Sequence, residues 1–161
     1  MNLSIVTTLY RSENFVEDFL DQAVAAGEAF GGDFEILLVD DGSPDQSRSL
    51  AEARAKTDPR IVVFELARNF GHHAALWCGL HSAQGNHVFL IDSDLEVSPF
   101  VLADFHRLLK EPKSDVAYAV QAARAGGLVS NTLGNQRMIF PEKTAHNKQT
   151  IEIGYIRHRH L

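Results

Sequence analysis

Two aspartates one residue apart, Asp92 and Asp94, directly follow the apolar run His87 to Ile91. Where a buried strand ends, carboxylates at that spacing can aim at one point. Hard divalent cations such as Mg²⁺ or Mn²⁺ take oxygen ligands and share phosphate oxygens readily. A bound cation stabilises the negative charge that develops on a nucleoside diphosphate as its glycosidic bond breaks. The competing explanation is a solvated Asp-x-Asp turn with no ligand.

A second acidic turn, Asp40-Asp41-Gly42-Ser43-Pro44-Asp45, follows the apolar run Phe34 to Val39. A carboxylate there can accept hydrogen bonds from a base N–H or a ribose hydroxyl. Ser43 or Asp45 suits the cap of a following helix, and capping accounts for Asp45. It does not require Asp41, which therefore stands as a candidate ligand.

Alternating strands and helices must position these groups. Leu3 to Thr7 is short, apolar and β-branched, as a buried strand requires. Glu13 to Phe30 has helical spacing, with Phe15 or Val16, Phe19, Leu20, Ala23 and Val24 on one face, and Gly31-Gly32 ends it. Phe34 to Val39 is a second strand, followed by a helix to about Lys56. Ile61 to Glu65 is a third strand, His72 to Ala83 a helix, and His87 to Ile91 a fourth strand. Ser98 and Pro99 open a further helix, and Val116 to Val120 reads as a fifth strand. Residues 126–150 lack periodicity, and Ile151 to Ile156 is a candidate last strand.

Such a pattern predicts a mostly parallel sheet covered on both faces, with right-handed crossovers. Ligands in such sheets gather beyond the carboxyl ends of the strands. The polar clusters Thr7 to Glu13, Asp40 to Asp45, Arg68 to His73 and Asp92 to Glu96 should therefore share one edge.

The 161 residues fit one domain, 45% hydrophobic and 22% charged, as in ordinary globular proteins. A net charge of −6 argues against nucleic acid as a partner. The single cysteine, Cys78, reads as a small buried apolar residue and points to a reducing, cytoplasmic compartment. No secretory leader or membrane-spanning run is evident, so membrane contact would be peripheral, through a partner or a segment outside this sequence. The eight histidines carry no ligand spacing and read as surface or tail residues.

In combination these motifs resemble family 2 glycosyltransferases of the GT-A fold, closest in pattern to polyprenyl- and dolichol-phosphate sugar synthases. Thr7-Thr-Leu-Tyr10-Arg-Ser-Glu13 is similar to that family's first block, and Asp40 to Asp45 to its acidic turn. Arg68-Asn69-Phe70-Gly71, with the helix Ala75 to Leu80, resembles the third, and Asp92-Ser93-Asp94 its Asp-x-Asp motif. Asp115 to Arg124 resembles a strand of the polyprenyl-phosphate enzymes.

The resemblance implies a Rossmann-like nucleotide-sugar-binding domain over residues 1–126. It puts Thr7, Leu9 and Glu13 near base and ribose, Asp41 on the base and Arg68 beside the nucleotide. Asp92 would meet the ribose or the metal-bound phosphate, and Asp94 would hold Mg²⁺ or Mn²⁺. The implied activity is inverting transfer of a sugar from a nucleotide-diphosphate donor to a polyprenyl phosphate or a cell-surface glycan. Three positions depart from the pattern: Thr8 or Leu9 stands where a proline is usual, His72 where a lysine is, and Gln121 where an arginine is.

The acceptor half that usually bears a catalytic Asp or Glu is short or missing, with residues 127–161 a C-terminal extension. Glu142 and Glu152 are candidates only by default. A phosphate acceptor needs no base, which suits a lipid phosphate. The alternative is a truncated or degenerate nucleotide-binding module without turnover. A phosphatase using Asp92 as nucleophile fits less well, because its motif belongs on a first strand. A dinucleotide-binding domain lacks its glycine fingerprint.

Overall fold

The computed structural model describes residues 1–109, 116–118 and 153–157. Strands β1 (Leu3–Leu9), β2 (Phe34–Asp40), β3 (Ile61–Glu65) and β4 (His87–Ile91) run parallel, with β2 and β4 on either side of β1. Two further strands, β5 (Val116–Tyr118) and β6 (Ile153–Arg157), complete the order β3-β2-β1-β4-β6-β5. β6 is antiparallel to both neighbours, so it lies between β4 and β5 although it follows both in the chain.

The period-two alternation of β1 divides its side chains between two cores. Leu3, Ile5 and Leu9 enter the larger one, with helix α1 (Val16–Phe30), Ala51 of α2 (Ser47–Ala55) and Phe105 of α4 (Leu102–Leu109). Val6 faces the other way, joining Leu37, Val88 and Ala83 beside helix α3 (His72–Ser82). Helices thus cover both faces of the sheet. This is the GT-A-type α/β architecture expected from the sequence.

α1 buries Val16, Phe19, Leu20 and Ala23 as its spacing predicts, but starts at Val16 instead of Glu13. Its end is set by Gly31, whose φ of 82° and ψ of 143° are open only to glycine. Ahead of α4, Pro99–Val101 forms a single 3-10 turn, and the Ser98 hydroxyl accepts the Phe100 N–H as expected. Cys78 is only partly buried, because α3 seats just Ala75 and Gly79 fully against the sheet. His87 and His106 are not the surface residues expected of them; both rings pack edge-on around Phe30. The expected loop 126–150, Gln121, Glu142 and Glu152 lie outside the described residues.

Candidate functional site

The chain winds outward from β1 through β2 to β3, then crosses back to β4 on the other side of β1. At such a reversal, beyond the carboxyl ends of β1 and β4, doubly wound sheets bind ligands. The four polar clusters do meet at this edge, joined by hydrogen bonds between residues distant in sequence.

Serines do much of the joining. The buried Ser93 hydroxyl donates to the Thr8 carbonyl at 3.1 Å and lies 3.2 Å from the Ser12 hydroxyl, tying the β4 loop to the end of β1. The Ser12 N–H donates to the Ser47 hydroxyl at 2.8 Å, and the Arg11 N–H to the Ser43 hydroxyl at 2.8 Å. Both hydroxyls donate in turn to Asp45 Oδ1. Partial burial works against the charge of Asp45. The Ser43 and Ser47 hydroxyls, with the amides of Ser47 and Glu13, nevertheless hold its pKa down at about 2. Neighbouring Asp40 goes the other way, raised by burial against the pull of the Ser43 amide and Arg48. Of these serines the sequence marks only Ser43, as a candidate cap; Ser12, Ser47 and Ser93 carry no pattern of their own.

Glu13 belongs to the same seam. Its N–H donates to Asp45 Oδ2 and its own Oε2 accepts the Gln46 N–H, each at 3.1 Å. The expected cap of α2 is therefore shared: Gln46 occupies the cap position without a side-chain bond, while Asp45 and Glu13 take the amides around it.

Asp41, 2% exposed, turns both oxygens onto the loop after β3. Oδ1 accepts the Phe70 N–H at 2.7 Å and Oδ2 the Gly71 N–H at 2.9 Å. Gly42 lets that loop approach: its φ is 65°, and a Cβ there would stand 2.7 Å from the backbone of Arg68 and Asn69. Arg68 sits on the same loop with its guanidinium 4.1 Å above the Phe70 ring. Thr7 is fully buried, and among the described residues its hydroxyl has no hydrogen-bond partner. The Leu9 side chain is in the core, leaving its carbonyl at the edge, where it accepts the Asp41 N–H at 3.0 Å.

On the β4 side, Asp92 and Asp94 flank buried Ser93. Asp94 is exposed and accepts the Glu96 N–H at 3.0 Å through Oδ1. Leu95 next to it has a φ of 60°, and Arg11 across the crevice 57°; among the described residues these are the two non-glycines at positive φ. Backbone strain of this kind persists where surrounding contacts over-determine it. Asp92 lies 3.7 Å from Nε2 of His72, whose Nδ1 is 3.1 Å from the Thr8 hydroxyl.

Among the described residues no three His, Cys, Asp or Glu side chains gather as a closed metal site. Two neighbouring carboxylates on an open edge suit instead a hard cation that completes its shell with phosphate oxygens and water. The donor set therefore fits Mg²⁺ or Mn²⁺ held jointly with a diphosphate.

Residues 4–160 match the family described as Glycosyl transferase family 2. The chain belongs to that family. Among family 2 relatives, a Mycobacterium tuberculosis protein named as a glycosyltransferase is 47% identical over 131 residues, which are 81% of this chain and 38% of the relative. The undecaprenyl-phosphate 4-deoxy-4-formamido-L-arabinose transferase of Edwardsiella ictaluri is 30% identical, over 82% of this chain and 44% of its own. The crystal structure of Staphylococcus aureus TarS 1-349 with UDP superposes with a TM-score of 0.61 at 26% identity, covering 81% of this chain and 38% of TarS. This chain thus spans less than half the length of these relatives.

Proposed function

We propose that this chain forms the nucleotide-sugar-binding part of an inverting family 2 glycosyltransferase whose acceptor is a polyprenyl phosphate or a cell-surface glycan. The observation that carries the reading is the crevice itself. Loops from β1, β2, β3 and β4 are hydrogen-bonded into one edge, with Asp92 and Asp94 presented on its β4 side. In this reading Thr7, Leu9 and Glu13 lie near base and ribose, and Arg68 beside the nucleotide. Asp41 serves that side by holding the Phe70–Gly71 backbone in place.

In this reading Asp94 and Asp92 hold Mg²⁺ or Mn²⁺ against the donor diphosphate. When bound, the cation supplies electrostatic stabilisation of the leaving nucleotide. The protein's own part is to orient the diphosphate so that the anomeric carbon faces the acceptor, which displaces it directly with inversion. A phosphate acceptor arrives already anionic, so no residue need deprotonate it. The relative that acts on undecaprenyl phosphate supports that acceptor class, and UDP bound to TarS supports a uridine or similar nucleotide. Among the described residues no helix is long and apolar enough to cross a membrane. The reading puts action on a lipid phosphate at the cytoplasmic face, with a membrane-associated partner or segment.

A thermal-shift screen of UDP, GDP, CDP and dTDP with and without Mn²⁺ tests the reading. At a hundred-fold excess over Kd, ligand binding adds about 2.7 kcal/mol, or roughly 5–10 °C in Tm for a chain of this size. One nucleotide should stabilise the protein with Mn²⁺, and Asp94→Ala should abolish the Mn²⁺-dependent part without lowering the ligand-free Tm. An Asp94→Ala protein that keeps the full Mn²⁺-dependent shift would overturn the metal assignment.

A further inference from the structure

Thr8, one of the two residues at which a proline is usual, and His72, where a lysine is, touch one another. The Thr8 hydroxyl stands 3.1 Å from Nδ1 of His72, across 64 residues of sequence, and Nε2 of the same ring faces Asp92 Oδ1 at 3.7 Å. We propose that Thr8 and His72 together are a positioning device for Asp92, with the ring acting as a fixed donor that orients this carboxylate toward the donor nucleotide. The proposal rests on the reading that Asp92 faces that ligand.

The chemistry of the ring follows from its partners. An ionised carboxylate only accepts hydrogen bonds, so for Nε2 to donate to Asp92 when the 3.7 Å gap closes, that nitrogen has to carry the ring's proton. In the neutral ring Nδ1 is then the acceptor, and the Thr8 hydroxyl is the group that donates to it. The tautomer of a histidine is set by the bond its other nitrogen makes. Proline at position 8 has no group to offer. A lysine at position 72 would put a mobile point charge beside Asp92, able to follow either the carboxylate or a phosphate. A planar ring held at one nitrogen presents one N–H in one direction.

The backbone beneath the ring is held as well. His72 is the first residue of α3, and the preceding Gly71 N–H is bound by Asp41 at 2.9 Å. On the other side of Asp92, Ser93 is tied to the Thr8 carbonyl at 3.1 Å. Thr8 therefore fixes the β4 loop through its carbonyl and the histidine ring through its hydroxyl. At 3.7 Å the His72–Asp92 approach is longer than a hydrogen bond, and a small rotation of either side chain as ligand binds would close it.

Isothermal titration of the purified protein with UDP and with GDP, each in Mn²⁺, tests this with the variants His72→Ala, His72→Asn, His72→Gln, Thr8→Val and the double variant Thr8→Val/His72→Ala. Asparagine reproduces the Nδ1 position but falls short of Asp92; glutamine reproduces the Nε2 donor. Affinity should fall about five- to ten-fold in His72→Ala and His72→Asn and stay within about two-fold in His72→Gln. Thr8→Val should weaken binding two- to three-fold alone and have no effect once His72 is alanine, because coupled residues are not additive. All variants should melt within about 2 °C of the parent, since both side chains lie at the open edge. Parental affinity in His72→Ala, equal losses in His72→Asn and His72→Gln, or additive losses in the double variant would each overturn the proposal while leaving the donor reading intact. If the parent itself binds neither nucleotide with Mn²⁺, the donor reading fails and takes this proposal with it.

Discussion

Asp41→Asn separates two roles that a carboxylate at this turn could play. In the structure Oδ1 and Oδ2 each accept a backbone N–H, from Phe70 at 2.7 Å and Gly71 at 2.9 Å. Asparagine keeps one acceptor and turns a donating NH₂ toward the other amide. One charge-assisted bond is lost, worth about 1.5–3 kcal/mol, and a largely buried N–H is left facing a donor. For a domain of this length 1 kcal/mol moves Tm by about 2–4 °C, so a drop of roughly 4–10 °C is expected. The loop carrying Arg68 and His72 loosens with it, so affinity for UDP and for pyrophosphate, each with Mn²⁺, should fall together. Differential scanning calorimetry and paired titrations read both quantities. An unchanged Tm with a ten-fold loss confined to the base-bearing ligand would refute this reasoning. It would mean that Asp41 acts by contacting the base and that its hold on the loop contributes nothing.

Gly42→Ala should act on the same loop from below: its Cβ would meet backbone atoms at 2.7 Å at a φ of 65°. A loss of at least about 2 kcal/mol is expected in urea unfolding, with nucleotide affinity reduced in parallel; unaltered unfolding would show that the approach is not close. For Asp45, whose folded pKa is depressed from 3.8 to about 2, the stabilising contribution is complete above the unfolded value and vanishes as pH falls toward 2. Asp45→Asn should therefore cost about 1 kcal/mol at neutral pH, after discounting for solvent screening, and nothing near pH 2. Stability curves that stay parallel down to pH 2 would contradict this. Buried Asp40, with its raised pKa, contributes in the opposite direction and blunts the acid limb of the parent.

The strands that build the crevice were legible because a buried parallel strand is a short unbroken apolar run; β3 and β4 match the expected bounds. Their shared carboxyl edge followed from alternation with helices. The place of β6 could not follow, since periodicity marks a strand without naming its neighbour. At the site, sequence spacing found the carboxylates but not what they hold. Asp41 and Glu13 look like ligand groups in sequence, yet each already accepts backbone amides from another loop. Ser12, Ser47 and Ser93 act through contacts 35 or more residues away, except for the short turns around Ser12 and Asp45, and such long-range pairs leave no local signature. The sequence marks His72 as a departure from the family pattern but not the contact it makes. Its partner Thr8 lies 64 residues earlier on β1, and no local pattern links the two.

The position of β6 imposes an order of assembly that differs from the order of the chain. Among the described residues β5 has a single neighbour in the sheet, β6, which begins roughly 35 residues later. β5 therefore has no ladder hydrogen bonds until β6 is made, and closing the loop between them carries its entropy cost before pairing repays it. During synthesis β1 to β4 can zip up as their crossovers emerge, presenting Asp92 and Asp94 while the flank of β4 is still open. An open flank of that kind is a template for intermolecular pairing. Among the described strands, β6 is the one that covers this flank.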